Sequence, residues 1–287
     1  MDTPPKTVIF ETVLGCNLRC PECAVGGKIV KRKYGQMSLA QYHVLIEKVR
    51  PYVEYLYLHL WGEPMLNKDI FQMLRHASAF TKTNISTNAN LLDARMARDL
   101  IESGVSDIIV SIDGITQDTY AIYRRRGQVG AALRGLAYLV NANRRHGNRV
   151  NINPQFIVFE HNVHEMEAFG KLCRELGLSP VFKAPYLRPD SQLRATGLPQ
   201  YTRRVEPDPE ARRQAMRQCP NARDVLTVLL DGQVVACCYD HNGLTNFGNL
   251  YTQSLEEIWE SPGYKAFRQG VRDGSPGPFC QDQCLLY

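Results

Sequence analysis

The sequence predicts an α/β chain: a partial (β/α)6 parallel barrel with a small C-terminal domain rich in cysteine. Three observations predict it. Short apolar runs alternate with amphipathic segments through residue 186, a pattern that implies parallel strands joined by right-handed crossovers. The pattern ends short of the roughly 250 residues of a closed eight-fold barrel. It then breaks into a proline- and charge-rich stretch before a second cysteine-bearing region begins. The expected division is a barrel over 1–186, a linker or draped loop over 187–217, and a C-terminal domain over 218–287.

The elements follow in order. Lys6–Val13 is an apolar run and reads as the first strand. Leu39–Val49 reads as a helix with Ser38 as its N-cap. Tyr55–Leu60, Thr83–Thr87, Asp107–Ile112, Val150–Phe159 and Val181–Ala184 read as the next five strands. Helices are expected over Lys68–Ala79, over Asp93–Ser103 ending at Gly104, up to Arg145 with a break near Gly127, and over Val163–Leu176 stopped by Gly177. Further on, Val225–Leu230 and Gln233–Ala236 flank Asp231-Gly232, a strong hairpin signal. Ser254–Glu260 reads as a short helix.

Composition narrows the function classes. With 44% hydrophobic and 22% charged residues, the chain has the material for an ordinary globular core. A net charge of +5, with Arg124-Arg125-Arg126 as the basic run that stands out, does not point to nucleic acid. No apolar stretch approaches the roughly 18 residues that span a membrane, and Met1–Lys6 is not a signal sequence. A soluble cytoplasmic protein is expected. The nine cysteines are odd in number and accompany no signal, so they point to thiolate chemistry rather than a disulfide framework.

Three of them form Cys16-x3-Cys20-x2-Cys23, directly after the first strand. A loop there lies on the C-terminal face of the barrel, where such folds place their chemistry. Thiolates are soft ligands for iron–sulfur clusters or zinc. Three ligands leave a fourth position open to a reactant. Cys173 stands alone in an amphipathic segment and reads as buried filler.

Other residues join the trio. Trp61-Gly62-Glu63-Pro64 follows the second strand, Ser86-Thr87-Asn88 ends the third, and Ser111-Ile112-Asp113-Gly114 ends the fourth. With the cysteine motif, this set resembles the radical S-adenosylmethionine (SAM) enzymes over residues 6–186. Trp61 stands where that family usually has the first glycine of Gly-Gly-Glu-Pro, and Glu22 where it often has an aromatic residue. The resemblance implies a [4Fe–4S] cluster on Cys16, Cys20 and Cys23, with SAM on the fourth iron. It implies that Glu63 pairs with the methionine ammonium, that Ser86 and Ser111 contact ribose or methionine, and that Arg124 neutralises the methionine carboxylate. It also implies an electron donor such as flavodoxin or ferredoxin.

The remaining thiols form a second set. The Asp231-Gly232 hairpin can bring Cys219 and Cys237 together, and Cys280-x3-Cys284 supplies two more ligands. Four thiolates make a closed site for zinc or an iron–sulfur cluster, and spacing does not choose between them. The region resembles a shortened SPASM domain, the twitch form, which implies one auxiliary [4Fe–4S] cluster, hence two clusters in all. Gly248-Asn249-Leu250 and the run Ser254 to Trp259 match that domain's pattern, while the final cysteine pair is one residue wider than usual.

Cys238 is surplus. It is filler, an alternative ligand to Cys237, or a hydrogen-atom donor. Neighbours on a strand point to opposite faces, so Cys238 would face away from Cys237's cluster, toward the barrel mouth. A thiol that quenches a carbon radical from the opposite face inverts that carbon. Twitch-bearing members of the resembled family include enzymes of aminoglycoside pathways. One oxidises 2-deoxy-scyllo-inosamine, and another inverts a ring carbon in the neomycin C to neomycin B type of reaction. The expected function is such an epimerase, with a radical dehydrogenase of an amino sugar or cyclitol, or a peptide-modifying maturase, as alternatives. A polycationic substrate calls for an acidic pocket, for which Asp190, Asp231, Asp240 and Asp282 are candidates.

Overall fold

The fold was examined in a computed structural model that describes residues 3–202 and 209–284. Ten strands occur in chain order: β1 Thr7–Phe10, β2 Val13–Leu14, β3 Gly35–Gln36, β4 Tyr55–Tyr57, β5 Lys82–Thr87, β6 Asp107–Ser111, β7 Asn151–Ile157, β8 Val181–Lys183, β9 Val225–Val228 and β10 Val234–Val235. The helices are α1 Leu39–Val49, α2 Ile70–Ser78, α3 Ala94–Glu102, α4 Gln117–Tyr123, α5 Val129–Arg145, α6 Met166–Glu175, α7 Pro209–Arg217, α8 Leu255–Trp259, α9 Pro262–Arg272 and α10 Pro278–Gln283.

Six strands make the expected open barrel, in the order β1-β4-β5-β6-β7-β8 with every neighbour parallel. Their side chains alternate. Val8, Leu56, Ile108 and Phe156 point outward into the layer beneath the helices and are fully buried, each removal from water contributing roughly 1.5–3 kcal/mol. The opposite faces are more polar and line the barrel interior.

Local chemistry places the helices. Ser38 and Gln41 form a complete capping box at the start of α1, which satisfies two of the free N–H groups there. Asp93 caps α3 by accepting from the Met96 N–H at 2.7 Å. Gly104 and Gly177 adopt φ of +79° where their helices end, the left-handed cap that glycine enters without steric cost. The break between α4 and α5 has a steric cause. A Cβ on Gly127 would lie 2.7 Å from the Tyr120 ring and 2.9 Å from the Arg124 carbonyl.

Two expectations change. Val13 does not belong to the first strand but turns away into β2, which pairs antiparallel with β3. The stretch 187–217 is draped only in its first part and carries α7 at its end. The C-terminal hairpin also joins the barrel sheet, a pairing that the strand signals did not indicate. β9 pairs in parallel with β1, Thr7 opposite Val225 and Phe10 opposite Val228, and β10 pairs antiparallel with β9, so one eight-stranded sheet runs through both regions.

Polar contacts fasten the same seam. The Glu11 carboxylate is fully buried and accepts both Arg32 Nη atoms at 2.7 Å and the Leu230 N–H at 2.9 Å. Lys48 Nζ on α1 donates to the carbonyls of Leu250, Tyr251 and Gln253 at 2.6, 3.2 and 2.8 Å. Among the described residues, no helix is long and apolar enough to cross a membrane.

Candidate functional site

At the C-terminal ends of the barrel strands lies a cavity of about 370 Å³. Cys16, Cys20, Cys23, Glu63, Ser86, Ser111 and Arg124 all line it. Every residue the sequence nominated in the barrel is therefore brought to one place.

The cysteine loop is a set of tight turns off β2. The Cys23 N–H donates to the Cys20 carbonyl at 3.2 Å, and the Gly27 N–H to the Cys23 carbonyl at 2.7 Å. Gly26 and Gly27 allow this packing, since a Cβ on Gly26 would stand 2.4 Å from the Cys20 carbonyl oxygen. Arg19 braces the loop from within, donating from Nη1 to the carbonyls of Cys16 and Leu18 at 2.7 and 2.8 Å. The Arg19 N–H donates to the Arg125 carbonyl at 2.9 Å.

Burial pushes the Cys16 thiol up to about 11 and the Cys20 thiol up to about 12; Cys23 adds to both, Cys16 adds to Cys20, and Arg124 opposes. The three sulfurs thus lie within electrostatic reach of one another. Among the described residues, no three His, Cys, Asp or Glu side chains converge tightly enough to hold a single ion. An iron–sulfur cluster does not require that, because each thiolate ligates a different iron. Soft donors on one cavity wall fit a cluster, and binding it would deprotonate them.

Glu63 is 2% exposed. Its Oε1 accepts from Thr87 Oγ1 at 2.7 Å and the Met65 N–H at 3.2 Å. Among the described residues, its Oε2 accepts only the Asn88 N–H, at 2.8 Å, so acceptor capacity remains at this cavity-lining carboxylate. Burial pushes this carboxyl up, and its hydrogen bonds oppose the shift. Gly62 before it has φ of +136°, and a Cβ there would meet the Val13 and Gly15 carbonyls at 2.5 and 2.7 Å.

Arg124, the C-cap of α4, has a partner that sequence reasoning missed. Its Nε donates to Asp113 Oδ2 at 2.5 Å, and Asp113 is fully buried. Asp113 Oδ1 also accepts the Ile157 N–H at 2.6 Å. Arg124 Nη1 stands 3.9 Å from Cys20 Sγ. Burial disfavours the charged guanidinium, but the facing Asp113 and Cys20 more than reverse this and hold it protonated. Asp113 belongs to the noted Ser-Ile-Asp-Gly run, and that position was the available signal. Thr87 and Asn88 were likewise quoted without the role they have in holding Glu63.

Glu22 explains its own departure from the family pattern. Its carboxylate, 7% exposed, accepts from the Arg188 N–H at 2.8 Å and Ser191 Oγ at 2.7 Å. The draped stretch is thus pinned onto the cysteine loop, and Tyr186 just before it lines the cavity.

The second cysteine set gathers Cys219 before a 3-10 turn, Cys237 and Cys238 after β10, Cys280 in α10 and Cys284 at its C-cap. Burial pushes Cys237 and Cys280 up, Cys280 to about 12, with other thiols of the set adding to it. Cys238 is pushed up to about 11, first by burial and then by Cys219 and Cys284. The expectation that Cys238 faces the barrel mouth is not met: Cys237 and Cys238 follow the end of β10 in a turn, where strand alternation does not apply, Cys219 and Cys284 of the second set act on Cys238, and Cys238 is not among the residues that line the cavity, whereas the next residue, Tyr239, is. The Cys238 carbonyl accepts from Trp61 Nε1 at 2.8 Å.

The four acidic candidates do not form a pocket, and none lines the cavity. Asp190 is exposed and pairs with Arg188 at 3.4 Å. Asp231 serves its turn by accepting the Gln233 N–H. Asp240 is buried and saturated by Leu244 and Thr245. Asp282 is exposed on α10. Cys173 is fully buried in α6, away from both sets, as expected of filler.

Known proteins agree with this arrangement. The radical SAM superfamily model matches residues 10–173, and the SPASM iron–sulfur cluster-binding domain model matches residues 219–285. Fe-coproporphyrin III synthase of Methanosarcina barkeri is 30% identical over 169 residues, 58% of this chain and 41% of that protein. Mycofactocin maturase MftC of Mycobacterium ulcerans is 25% identical over 190 residues, 66% of this chain and 49% of that one. The chain thus spans less than half the length of these curated relatives. The crystal structure of BtrN in complex with AdoMet and 2-DOIA shares the fold with a TM-score of 0.60 and 19% identity, covering 96% of this chain and 89% of BtrN. The chain belongs to the radical SAM superfamily, whose domain implies SAM and a [4Fe–4S] cluster, and it carries a C-terminal SPASM domain, which implies further iron–sulfur binding.

Proposed function

We propose that the chain is a radical SAM epimerase that inverts a ring carbon of an aminoglycoside-like amino sugar, in the neomycin C to neomycin B type of reaction. In this reading Cys238 returns the hydrogen atom. The observation that carries it is the Trp61 Nε1 to Cys238 carbonyl hydrogen bond of 2.8 Å. It ties the turn bearing the surplus thiol to Trp61, two residues before Glu63, and the turn's next residue, Tyr239, lines the cavity.

Cys16, Cys20 and Cys23 would hold the first cluster, and Cys219, Cys237, Cys280 and Cys284 the auxiliary one. The first cluster and SAM, when bound, would supply radical hydrogen-abstraction chemistry at a substrate C–H bond. The chain's residues position the reactants. Glu63 Oε2 would accept from the methionine ammonium. Arg124, whose Nε is committed to Asp113, would offer its Nη atoms to the methionine carboxylate. Ser86 and Ser111 would hydrogen-bond ribose or methionine. Tyr186 and Tyr239 also line the cavity.

Cys238 then gives its hydrogen atom to the opposite face of the carbon radical. One S–H bond breaks and one C–H bond forms. The sulfur-centred radical left behind needs one electron, from an external carrier such as flavodoxin or ferredoxin, and one proton from solvent. Rotation of the Cys238 side chain toward the cavity is the motion this step requires.

Cys238→Ala tests the reading. The variant should still form 5′-deoxyadenosine in the presence of substrate but yield almost no inverted product. Normal turnover would sink the donor role. A second reading, radical oxidation of an amino sugar or cyclitol, gains support from the near full-length fold likeness to BtrN, crystallised with 2-DOIA. It predicts an oxidised product whose formation survives Cys238→Ala.

A further inference from the structure

The segment directly after the cysteine trio is Lys28-Ile29-Val30-Lys31-Arg32-Lys33. Its charges divide into two kinds. Arg32 turns inward and is consumed by the buried Glu11. Lys28, Lys31 and Lys33 are exposed, and among the described residues none has a carboxylate within ion-pair distance. Lys28 has φ of +60°, an uncommon conformation for a residue other than glycine. The turn is closed by the Ile29 N–H on the Ala24 carbonyl at 3.0 Å and the Lys28 N–H on the Val25 carbonyl at 3.2 Å.

This cationic strip is held by backbone and side-chain hydrogen bonds and lies on the seam between the two cysteine-bearing regions. On one side it continues the chain from Cys23, which is joined to Gly27 by a 2.7 Å hydrogen bond. On the other side, the Lys31 N–H donates to Asn242 Oδ1 at 2.7 Å, and Arg32 Nε to the His241 carbonyl at 2.8 Å. Those two acceptors follow Cys238 by three and four residues.

An independent observation points to a protein partner. The two most exposed large apolar side chains among the described residues are Leu244, at 71%, and Tyr34, at 47%. Tyr34 adjoins Lys33, and Leu244 stands two residues after Asn242, so both flank the strip. Apolar contacts beside a rim of one charge are the makings of a transient protein interface.

We propose that this strip is the docking surface for a small acidic one-electron carrier protein, whose electron enters the chain beside both cluster sites. Each docking event oxidises the carrier by one electron and reduces the iron–sulfur system by one. The inference rests on radical SAM membership and not on the identity of the substrate. Opposite charge on the carrier would steer encounter and raise kcat/KM at low salt, an effect that ranges from roughly 10-fold to 1000-fold in steered associations.

The test uses the reconstituted full chain and two electron sources, reduced flavodoxin as the acidic carrier and dithionite. For the triple variant K28E/K31E/K33E, flavodoxin-driven 5′-deoxyadenosine formation should show KM for flavodoxin raised about tenfold or more. The dithionite-driven rate should stay within twofold of the unmodified chain. The Lys→Arg triple variant should restore the flavodoxin KM. In the unmodified chain, flavodoxin-driven kcat/KM should fall steeply with added salt. An unchanged flavodoxin KM would overturn the proposal. So would an equal loss with dithionite, which would place the effect on the cysteine loop, or a rate insensitive to salt, which needs no variant to fold.

Discussion

Replacing Arg124 with methionine removes the cation that faces Asp113 while keeping most of the side-chain volume. Asp113 is fully buried and would keep only the Ile157 N–H, at 2.6 Å. The lost contact is a hydrogen-bonded ion pair at 2.5 Å whose cation is 12% exposed. Deleting one partner of such a pair costs about 3–5 kcal/mol, because the other charge stays buried and uncompensated. Against a typical stability of about 5–15 kcal/mol, that is a large fraction. Urea denaturation followed by circular dichroism should read it as a lower midpoint with an unchanged slope.

The variant Asp113→Asn/Arg124→Met, with both charges gone and the Ile157 acceptor kept, should recover to within about 1–2 kcal/mol of the parent. The single variant's deficit should also depend on pH. Burial already pushes Asp113 up and Arg124 opposes that, so its loss raises the folded-state pKa further. The native state then binds the proton more tightly than the unfolded chain. The deficit is smallest below the unfolded carboxyl value of about 4 and grows as pH rises through the folded one. A single variant within about 1 kcal/mol of the parent at pH 7, or a double variant as weak as the single, would refute this reasoning.

Two further predictions concern stability and dynamics. Burial holds His59 down at about 4 from its usual 6.5, so the unfolded chain binds its proton first and stability is lost as pH falls through that window. The loss should reach about 2 kcal/mol by pH 5, and His59→Gln should lack this component in denaturation midpoints compared at pH 7 and pH 5. Lys48→Met strips three carbonyls of their shared donor and should cost about 1–3 kcal/mol. Hydrogen exchange across residues 250–253 should quicken in that variant, and unchanged protection there would show that Lys48 does not anchor the C-terminal region.

The barrel was legible because its signals are local. Ser38 with Gln41, Asp93, Gly104 and Gly177 each announce a helix end within a few residues, and the six parallel strands follow from alternation. The site was legible for a similar reason, since barrel topology delivers every strand end to one face. Glu63, Ser86 and Ser111 follow from their positions there. What escaped depends on partners distant in sequence. The pairing of β1 with β9 joins segments more than 200 residues apart, and neither strand's own pattern names the other. Glu22 gave no hint of Ser191, 169 residues away, because a charge reveals its partner only once the chain is folded; Arg124 and Asp113 are only 11 residues apart, and the Ser-Ile-Asp-Gly run marked Asp113 without naming its partner. α7 was missed because its few apolar residues carry little period amid proline and charge.

The most direct measurement of the central claim is turnover of an aminoglycoside epimer in deuterium oxide, with the product read by mass spectrometry and NMR. A thiol exchanges its hydrogen with solvent, so hydrogen return from Cys238 predicts one deuterium, placed at the inverted carbon. Inverted product without deuterium at that carbon would contradict the account.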